Sequence, residues 1–168
     1  MNREKTLYNK NIEIINNFFS KEEYYTILNY CLNSSYNYGE SDNDNTPPSG
    51  MIHDIPKSSF VYELFQKKLR DEFSIISEMR LDQMYINCFA SSENPYFHTD
   101  GETGYTFLYY PQENWKIDDG GETQFLIDES IYGVFPLPNR IVKFDASILH
   151  RATSFRDRHR FTVAIKYY

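Results

Sequence analysis

Tyr24, Ile27, Leu28, Cys31 and Leu32 recur at helical spacing and form a single apolar stripe, the pattern of a helix that packs against a larger body. Ser20-Lys21-Glu22-Glu23 precedes it as a capping box, in which Ser20 and Glu23 satisfy each other's free amides, so a helix is predicted to start near Lys21. The apolar positions Ile12, Ile14, Ile15, Phe18 and Phe19 extend this helical reading over the N-terminal third. A second helix is predicted over about residues 58–74, with Val61, Leu64, Phe65, Leu69 and Phe73 on its inner face. Between the two lies GESDNDNTPPSG, residues 39–50, where Gly, Asn, Asp and the Pro47-Pro48 pair exclude regular structure. This segment reads as a loop suited to act as a lid.

From Leu81 onward the period shortens to that of strands, over 81–90, 104–110, 122–127, 131–136, 140–145 and 160–168. Gly, Pro, Asn and Asp turns separate them, and no helical stretch intervenes to serve as a parallel crossover. The C-terminal half is therefore predicted to be antiparallel. Helices followed by many short strands indicate an α+β protein, its helices buttressing one face of a β-sandwich or barrel. At 168 residues, the chain fits one domain over 1–168, with helical support over about 1–78 and a β core over about 80–168.

A net charge of −7 opposes phosphate backbones, so nucleic acid is not an expected partner. No apolar run is long enough to cross a membrane, and MNREKTLYNK lacks the apolar stretch of a secretory leader. Cys31 and Cys88 imply no disulfide framework. The expected compartment is the reducing cytoplasm. The abundance of Asn, Ile, Lys and Tyr hints at an AT-rich coding genome, viral (phage) or bacterial.

His98-Thr99-Asp100 places two ligand-capable side chains at i and i+2, on the same side of an extended segment. His150 follows the strand-like RIVKFDASIL, and antiparallel pairing in a closed β-domain would bring it opposite the first two. Two imidazoles and one carboxylate make a facial triad, with three positions left open for substrate and oxygen, a donor set suited to non-haem Fe(II). An isolated HxD is common by chance. Here it stands with Gly120-Gly121-Glu122-Thr123, with Phe144-Asp145 shortly before His150, and with Arg160 beyond it.

Through YINCFASSENPYFHTD, TFLYYPQENWKIDDGGETQFL, RIVKFDASILHRATSF and RHRFTVAIKYY, residues 80–168 resemble the Fe(II)/2-oxoglutarate-dependent dioxygenases, in their prolyl 4-hydroxylase-like branch. The resemblance is weaker over the N-terminal part. It implies a double-stranded β-helix (jelly-roll) core with supporting helices, iron on His98, Asp100 and His150, 2-oxoglutarate and O2 as co-substrates, and ascorbate as an accessory. The activity it implies is hydroxylation of an aliphatic C–H, with succinate and CO2 as co-products, on a prolyl residue of a peptide or protein. Carried over by position, Arg160 looks like the base that pairs with the distal carboxylate of 2-oxoglutarate, a bidentate match for a planar guanidinium. Thr162 shares its strand face, and Tyr85 matches a tyrosine that contacts the co-substrate, although a core role fits it equally. The collagen-type enzymes usually carry lysine where this chain has Arg160, and the SSENP stretch is longer than the family's short turn.

Other residues read as structure. His53 has no metal-spaced partner and reads as surface or as lining the lid, and His159 should face away from Arg160. Gly120-Gly121 reads as a tight turn and Trp115 as a substrate-side or rim aromatic. Arg151, Arg156 and Arg158 read as a solvated basic face, and Asp145 as either orienting His150 or stabilising a turn. The competing functions are hydroxylation of a free amino acid or other small molecule, a non-catalytic jelly-roll binding module, and a zinc hydrolase on the same ligands. Nucleic-acid demethylation ranks lower, since RHRFTVAIK lacks the RxNxTxR pattern of those enzymes.

Overall fold

The computed structural model of the chain describes residues 4–9, 11–39, 41 and 46–168. Helix α1, Lys21–Asn33, starts as predicted, with Ser20 Oγ accepting from the Glu23 amide and Glu23 accepting from the Ser20 amide. Helix α2, Phe60–Glu72, is capped by Ser59 and buries Val61, Phe65 and Leu69. The helical reading of Ile12 to Phe19 is overturned. Ile12–Asn16 is a strand, β2, paired with β1, Glu4–Asn9. Three β-branched isoleucines within four residues favour a pleated surface, and Ile12 and Ile14 face one core while Ile15 faces another. Two further short strands, β3 (Asn37–Tyr38) and β4 (Met51–Asp54), flank the loop, so the first part of the chain is mixed rather than helical. The expected lid over 39–50 falls partly on residues 40 and 42–45, which lie outside the described residues.

The later strands are β5 (Leu81–Phe89), β6 (Tyr105–Tyr110), β7 (Thr123–Ile127), β8 (Ser130–Val134), β9 (Arg140–Asp145), β10 (His150–Ala152) and β11 (Arg160–Tyr167). They form two antiparallel sheets, ordered β1-β2-β9-β6-β11-β5-β4-β3 and β10-β7-β8. Strand β10 had no sequence signal, because three residues carry no periodicity of their own. A bridge between His98 and His150 attaches the 98–101 segment to the smaller sheet.

Alternation along the central strands creates two cores. Met84, Ile86, Phe107, Tyr109, Val163 and Ile165 pack with the helices through Ile27, Phe65 and Leu69. Their neighbours Tyr85, Leu108, Tyr110 and Ala164 pack with Phe144 of the same sheet and with Phe125 and Val134 of the smaller one. Strand β11 is therefore buried on both faces, and its inward positions are Arg160, Thr162 and Ala164, with Lys166 next in the alternation. This is the double-stranded β-helix expected from the sequence, with α1 and α2 backing the larger sheet.

Candidate active site

The segment carrying His98 and Asp100 is an extended loop rather than a regular strand, pinned at both ends by backbone hydrogen bonds. His98 and His150 exchange amide-carbonyl bonds of 3.0 and 2.9 Å, and the Asp100 amide donates to Ala146 O at 2.9 Å. This brings the three side chains together, their ligand atoms within 4.8 Å of one another. Asp100 Oδ2 lies 3.5 Å from His150 Nε2, and Asp100 Oδ1 lies 3.9 Å from His98 Nε2.

Each imidazole is oriented by a carbonyl of its own segment. His98 Nδ1 is 3.0 Å from Tyr96 O and His150 Nδ1 is 2.9 Å from Ile148 O. A carbonyl accepts only from N–H, so this contact assigns the proton to Nδ1 and leaves the Nε2 lone pair facing the cluster. Asp145, read as either orienting His150 or stabilising a turn, accepts from the Ile148 amide through its carbonyl at 3.0 Å, on the turn side of those readings. His150 is walled by the rings of Phe144 and Phe125, at 4.7 and 6.0 Å. Burial there drives its pKa down to about 4 against the pull of Asp100, so the ring is neutral, as a metal ligand requires. Burial opposes the Asp100 charge, but His150, Lys166 and a Thr106 hydroxyl outweigh it and hold the carboxyl below its usual range. Thr106 Oγ1 donates to Oδ2 at 2.6 Å, and Lys166 Nζ stands 2.8 Å from Oδ1. Two imidazole nitrogens and one ionised carboxylate oxygen, clustered at a pocket wall, fit a divalent ion of the Fe(II) type.

The pocket of about 480 Å³, partly open to solvent, runs from this cluster to Arg160. Arg160 is 1% exposed. Its Nε donates to Gly121 O at 2.8 Å and its Nη2 to Thr123 Oγ1 at 2.9 Å, with the Tyr110 ring 5.5 Å from its carbon. Those hydrogen-bond partners are all neutral, and burial presses on the charged form of the guanidinium. A buried cation without a hydrogen-bonded carboxylate calls for an anion from outside. Thr162 and Tyr85 line the same pocket, as does Asn87, whose buried Oδ1 has no hydrogen-bond partner. A side-chain amide offers an acceptor on one arm and two donors on the other, so a rotation of its terminal torsion turns the Asn87 NH2 toward an anionic occupant. These features fit a dicarboxylate reaching from the metal cluster to Arg160.

Sequence reading missed Asn87, Thr106, Tyr110, Thr123 and Lys166. Lys166 was accessible, because it shares the inward alternation of Arg160 and Thr162; Thr123 stood in the Gly120-Gly121-Glu122-Thr123 motif without a role, and Thr106 depends on a cross-strand neighbour and left no local signal. Tyr110 Oη is 2.8 Å from Thr123 Oγ1, which places it at the Arg160 end. The remaining expectations resolve simply. His53 lies opposite Ile86, on the helix side, between Tyr30 Oη at 3.1 Å and Ser35 O at 2.9 Å, away from the pocket. His159 is exposed. Trp115 is a packing residue, donating to Gly120 O and tilted against the Phe155 ring at 5.7 Å. Of the basic cluster, Arg158 pairs with Asp119 at 3.2 Å, Arg151 donates to Gln124 and covers Phe97, and Arg156 is exposed. Gly121 takes φ +75, and a Cβ there would meet Trp115, Phe155 and Arg160 at 3.0 to 3.4 Å, so the Gly-Gly turn forms the seat of Arg160.

No family model matches the chain, and no curated protein matches it by sequence. Solved structures do match. A prolyl hydroxylase from Trichoplax adhaerens, in complex with a peptide of the hypoxia inducible factor oxygen degradation domain, superposes with a TM-score of 0.78 at 16% identity, covering 96% of this chain and 85% of its own. A viral collagen prolyl hydroxylase from Paramecium Bursaria Chlorella virus-1, as its 2-oxoglutarate complex, gives 0.68 at 16%, over 95% and 96%. HygX from Streptomyces hygroscopicus, with nickel, 2-oxoglutarate and hygromycin B bound, gives 0.73 at 12%, over 94% and 82%. At these identities the likeness shows the fold, a double-stranded β-helix shared with proteins that differ in what they bind.

Proposed function

We propose that the chain is a single-domain Fe(II)- and 2-oxoglutarate-dependent dioxygenase that hydroxylates an aliphatic C–H, with a prolyl residue of a peptide or protein as the leading substrate. The observation that carries this reading is one pocket holding both His98, Asp100 and His150 at its wall and the buried Arg160 at its end. His98, Asp100 and His150 would hold the iron. When bound, iron and 2-oxoglutarate supply the oxidising chemistry, yielding succinate and CO2. The protein positions the reactants: Arg160 binds the distal carboxylate, Thr162 and Asn87 offer polar contacts along the path, and Phe125 and Phe144 pack around His150 and keep water from its ring. Tyr85 lines the same pocket. Ascorbate would serve as accessory reductant. The lid role of 39–50 belongs to this reading. So does a cytoplasmic location, supported by the free cysteines Cys31 and Cys88; none of the described helices is long and apolar enough to cross a membrane. Hydroxylation of a small molecule is the second reading, favoured by the likeness to HygX with hygromycin B bound.

Anaerobic addition of Fe(II) and then 2-oxoglutarate to the apoprotein should produce the visible charge-transfer band of the chelate, and His98→Ala should abolish it. Iron binding without the band would overturn the co-substrate assignment. With the band in hand, peptides and free amino acids are screened for the mass gain of one oxygen.

A further inference from the structure

The outer face of the smaller sheet has no part in the reading above. On β7, Thr123, Phe125 and Ile127 are buried on the inner side, which turns Gln124 and Leu126 outward. The register sets Arg151 of β10 beside Gln124 and Ile131 of β8 beside Leu126. Leu149 stands at the entry to β10, its carbonyl accepting from the Leu126 amide at 2.8 Å. Helices α1 and α2 pack on the larger sheet, and on this face Ile131 stays 51% and Leu149 39% exposed.

Arg151 is held in place there without an anion. Its Nε donates to Gln124 Oε1 at 3.1 Å, and its guanidinium carbon lies 4.5 Å from the centre of the Phe97 ring. None of the ion pairs among the described residues includes it, although Glu122 shares the face two positions from Gln124. Arg158, by contrast, is paired with Asp119. Stacking and the Nε bond fix the guanidinium plane, so little rotamer freedom is left to lose, and the Nη1–Nη2 edge remains for a two-point contact with a carboxylate.

Phe97 and Arg151 are the chain neighbours of His98 and His150, whose bridge joins the two segments. The same two segments thus hold the histidine cluster on their inner side and the guanidinium on their outer side. A polypeptide that leaves the pocket across residues 97–98 lays its next residues on this face, at about 3.3 Å per residue. Two copies of a chain of net charge −7 repel one another, which favours a separate peptide over self-association.

We infer that the outer face of the smaller sheet docks a polypeptide substrate, with Arg151 taking an acidic side chain a few residues from the one oxidised and Leu126, Ile131 and Leu149 taking its apolar neighbours. The inference rests on the dioxygenase reading of the site and narrows its substrate class to peptides that carry an acidic residue near the target.

The probes are rhodamine-labelled prolyl octapeptides in an alanine-leucine background, with one glutamate walked along either side of the proline, each beside its glutamine counterpart. Binding is read by fluorescence anisotropy at low ionic strength. At one or two adjacent positions the glutamyl peptide should bind about fivefold more tightly than its counterpart. Arg151→Gln should erase that preference, Arg151→Lys should keep part of it, and Ile131→Ser should weaken both peptides. In protein saturated anaerobically with Fe(II) and 2-oxoglutarate, the preferred peptide should shift the charge-transfer band over the same concentration range, and Arg151→Gln should raise that range by the same factor. Equal binding at every position, or a preference unchanged in Arg151→Gln, overturns the inference. So does binding that leaves the band unshifted, since the face is then separate from the pocket. A wild-type dimer that becomes monomeric in Arg151→Gln assigns the face to a second copy and likewise overturns it. Should Arg151→Gln lose the band through damage at His150, Ile131→Ser carries the test, and its unchanged affinity for both peptides overturns the inference. Absence of the band in wild-type protein refutes the iron and co-substrate reading, while the anisotropy still decides the docking face.

Discussion

Replacing Arg160 by Met removes the charge while roughly keeping the volume, and the structure sets the size of the effect. A guanidinium has five N–H donors. Gly121 O and Thr123 Oγ1 engage two of them, through Nε and Nη2, which leaves enough for a two-point contact with a carboxylate. Each such charge-assisted bond contributes about 1.5 kcal/mol at the low end of its range, so the pair is worth about 3 kcal/mol, or roughly 150-fold in Kd. Arg160→Lys keeps the charge but contacts at one point, and should lose roughly tenfold. The assay is 2-oxoglutarate titration of the Fe(II)-loaded protein, followed by the charge-transfer band. Arg160→Met also strips Gly121 O and Thr123 of donors, at a cost of about 1–3 kcal/mol in stability. Thermal melting therefore accompanies every titration, and Arg160→Lys carries the test should the Met variant melt below the assay temperature. An unchanged Kd in a folded Arg160→Met protein, or in Arg160→Lys if Met does not fold, refutes the assignment of Arg160 to the distal carboxylate.

Gly121→Ala forces a side chain to φ +75 and against Trp115, Phe155 and Arg160. It should cost about 1–3 kcal/mol in urea unfolding and weaken 2-oxoglutarate binding as well, whereas binding unchanged would separate this turn from the Arg160 seat. Ser20→Ala removes the α1 cap and should lower stability by about 1 kcal/mol, read from the urea midpoint, with no effect on Fe(II) or 2-oxoglutarate binding. Burial pushes the Cys88 thiol from 9.0 up to about 11. Because the folded value lies above the unfolded one, the stabilisation from the protonated thiol is fully present below about pH 9 and is lost as pH rises toward 11. Native protein at pH 8 should accordingly leave both buried cysteines unlabelled by a thiol reagent, with both labelled in guanidinium; rapid native labelling of Cys88 would contradict its burial.

Local patterns were read correctly where local physics governs. The Ser20-Glu23 box starts α1 because both partners lie within one turn. The strands from β5 onward, β10 apart, showed in their alternation, which also put Arg160 and Thr162 on one face. The Ile12–Asn16 segment misled because its apolar residues serve two cores at once, Ile12 and Ile14 on one side of the sheet and Ile15 on the other. Such a strand lacks the half-buried alternation that distinguishes it from a helix.

The sequence by itself supplied the cast of the proposed site: a histidine and an aspartate two residues apart, a distant second histidine, and an arginine on an alternating strand. It also determined the antiparallel core, since alternation and turn residues act over a few positions. Only the tertiary structure decided that His98 bridges His150, that Thr106 and Lys166 grip the two oxygens of Asp100, and that Gly121 seats Arg160. Those contacts join residues far apart in the chain through strand register. Register follows from which faces can be buried together, a property of the whole fold and of no single segment.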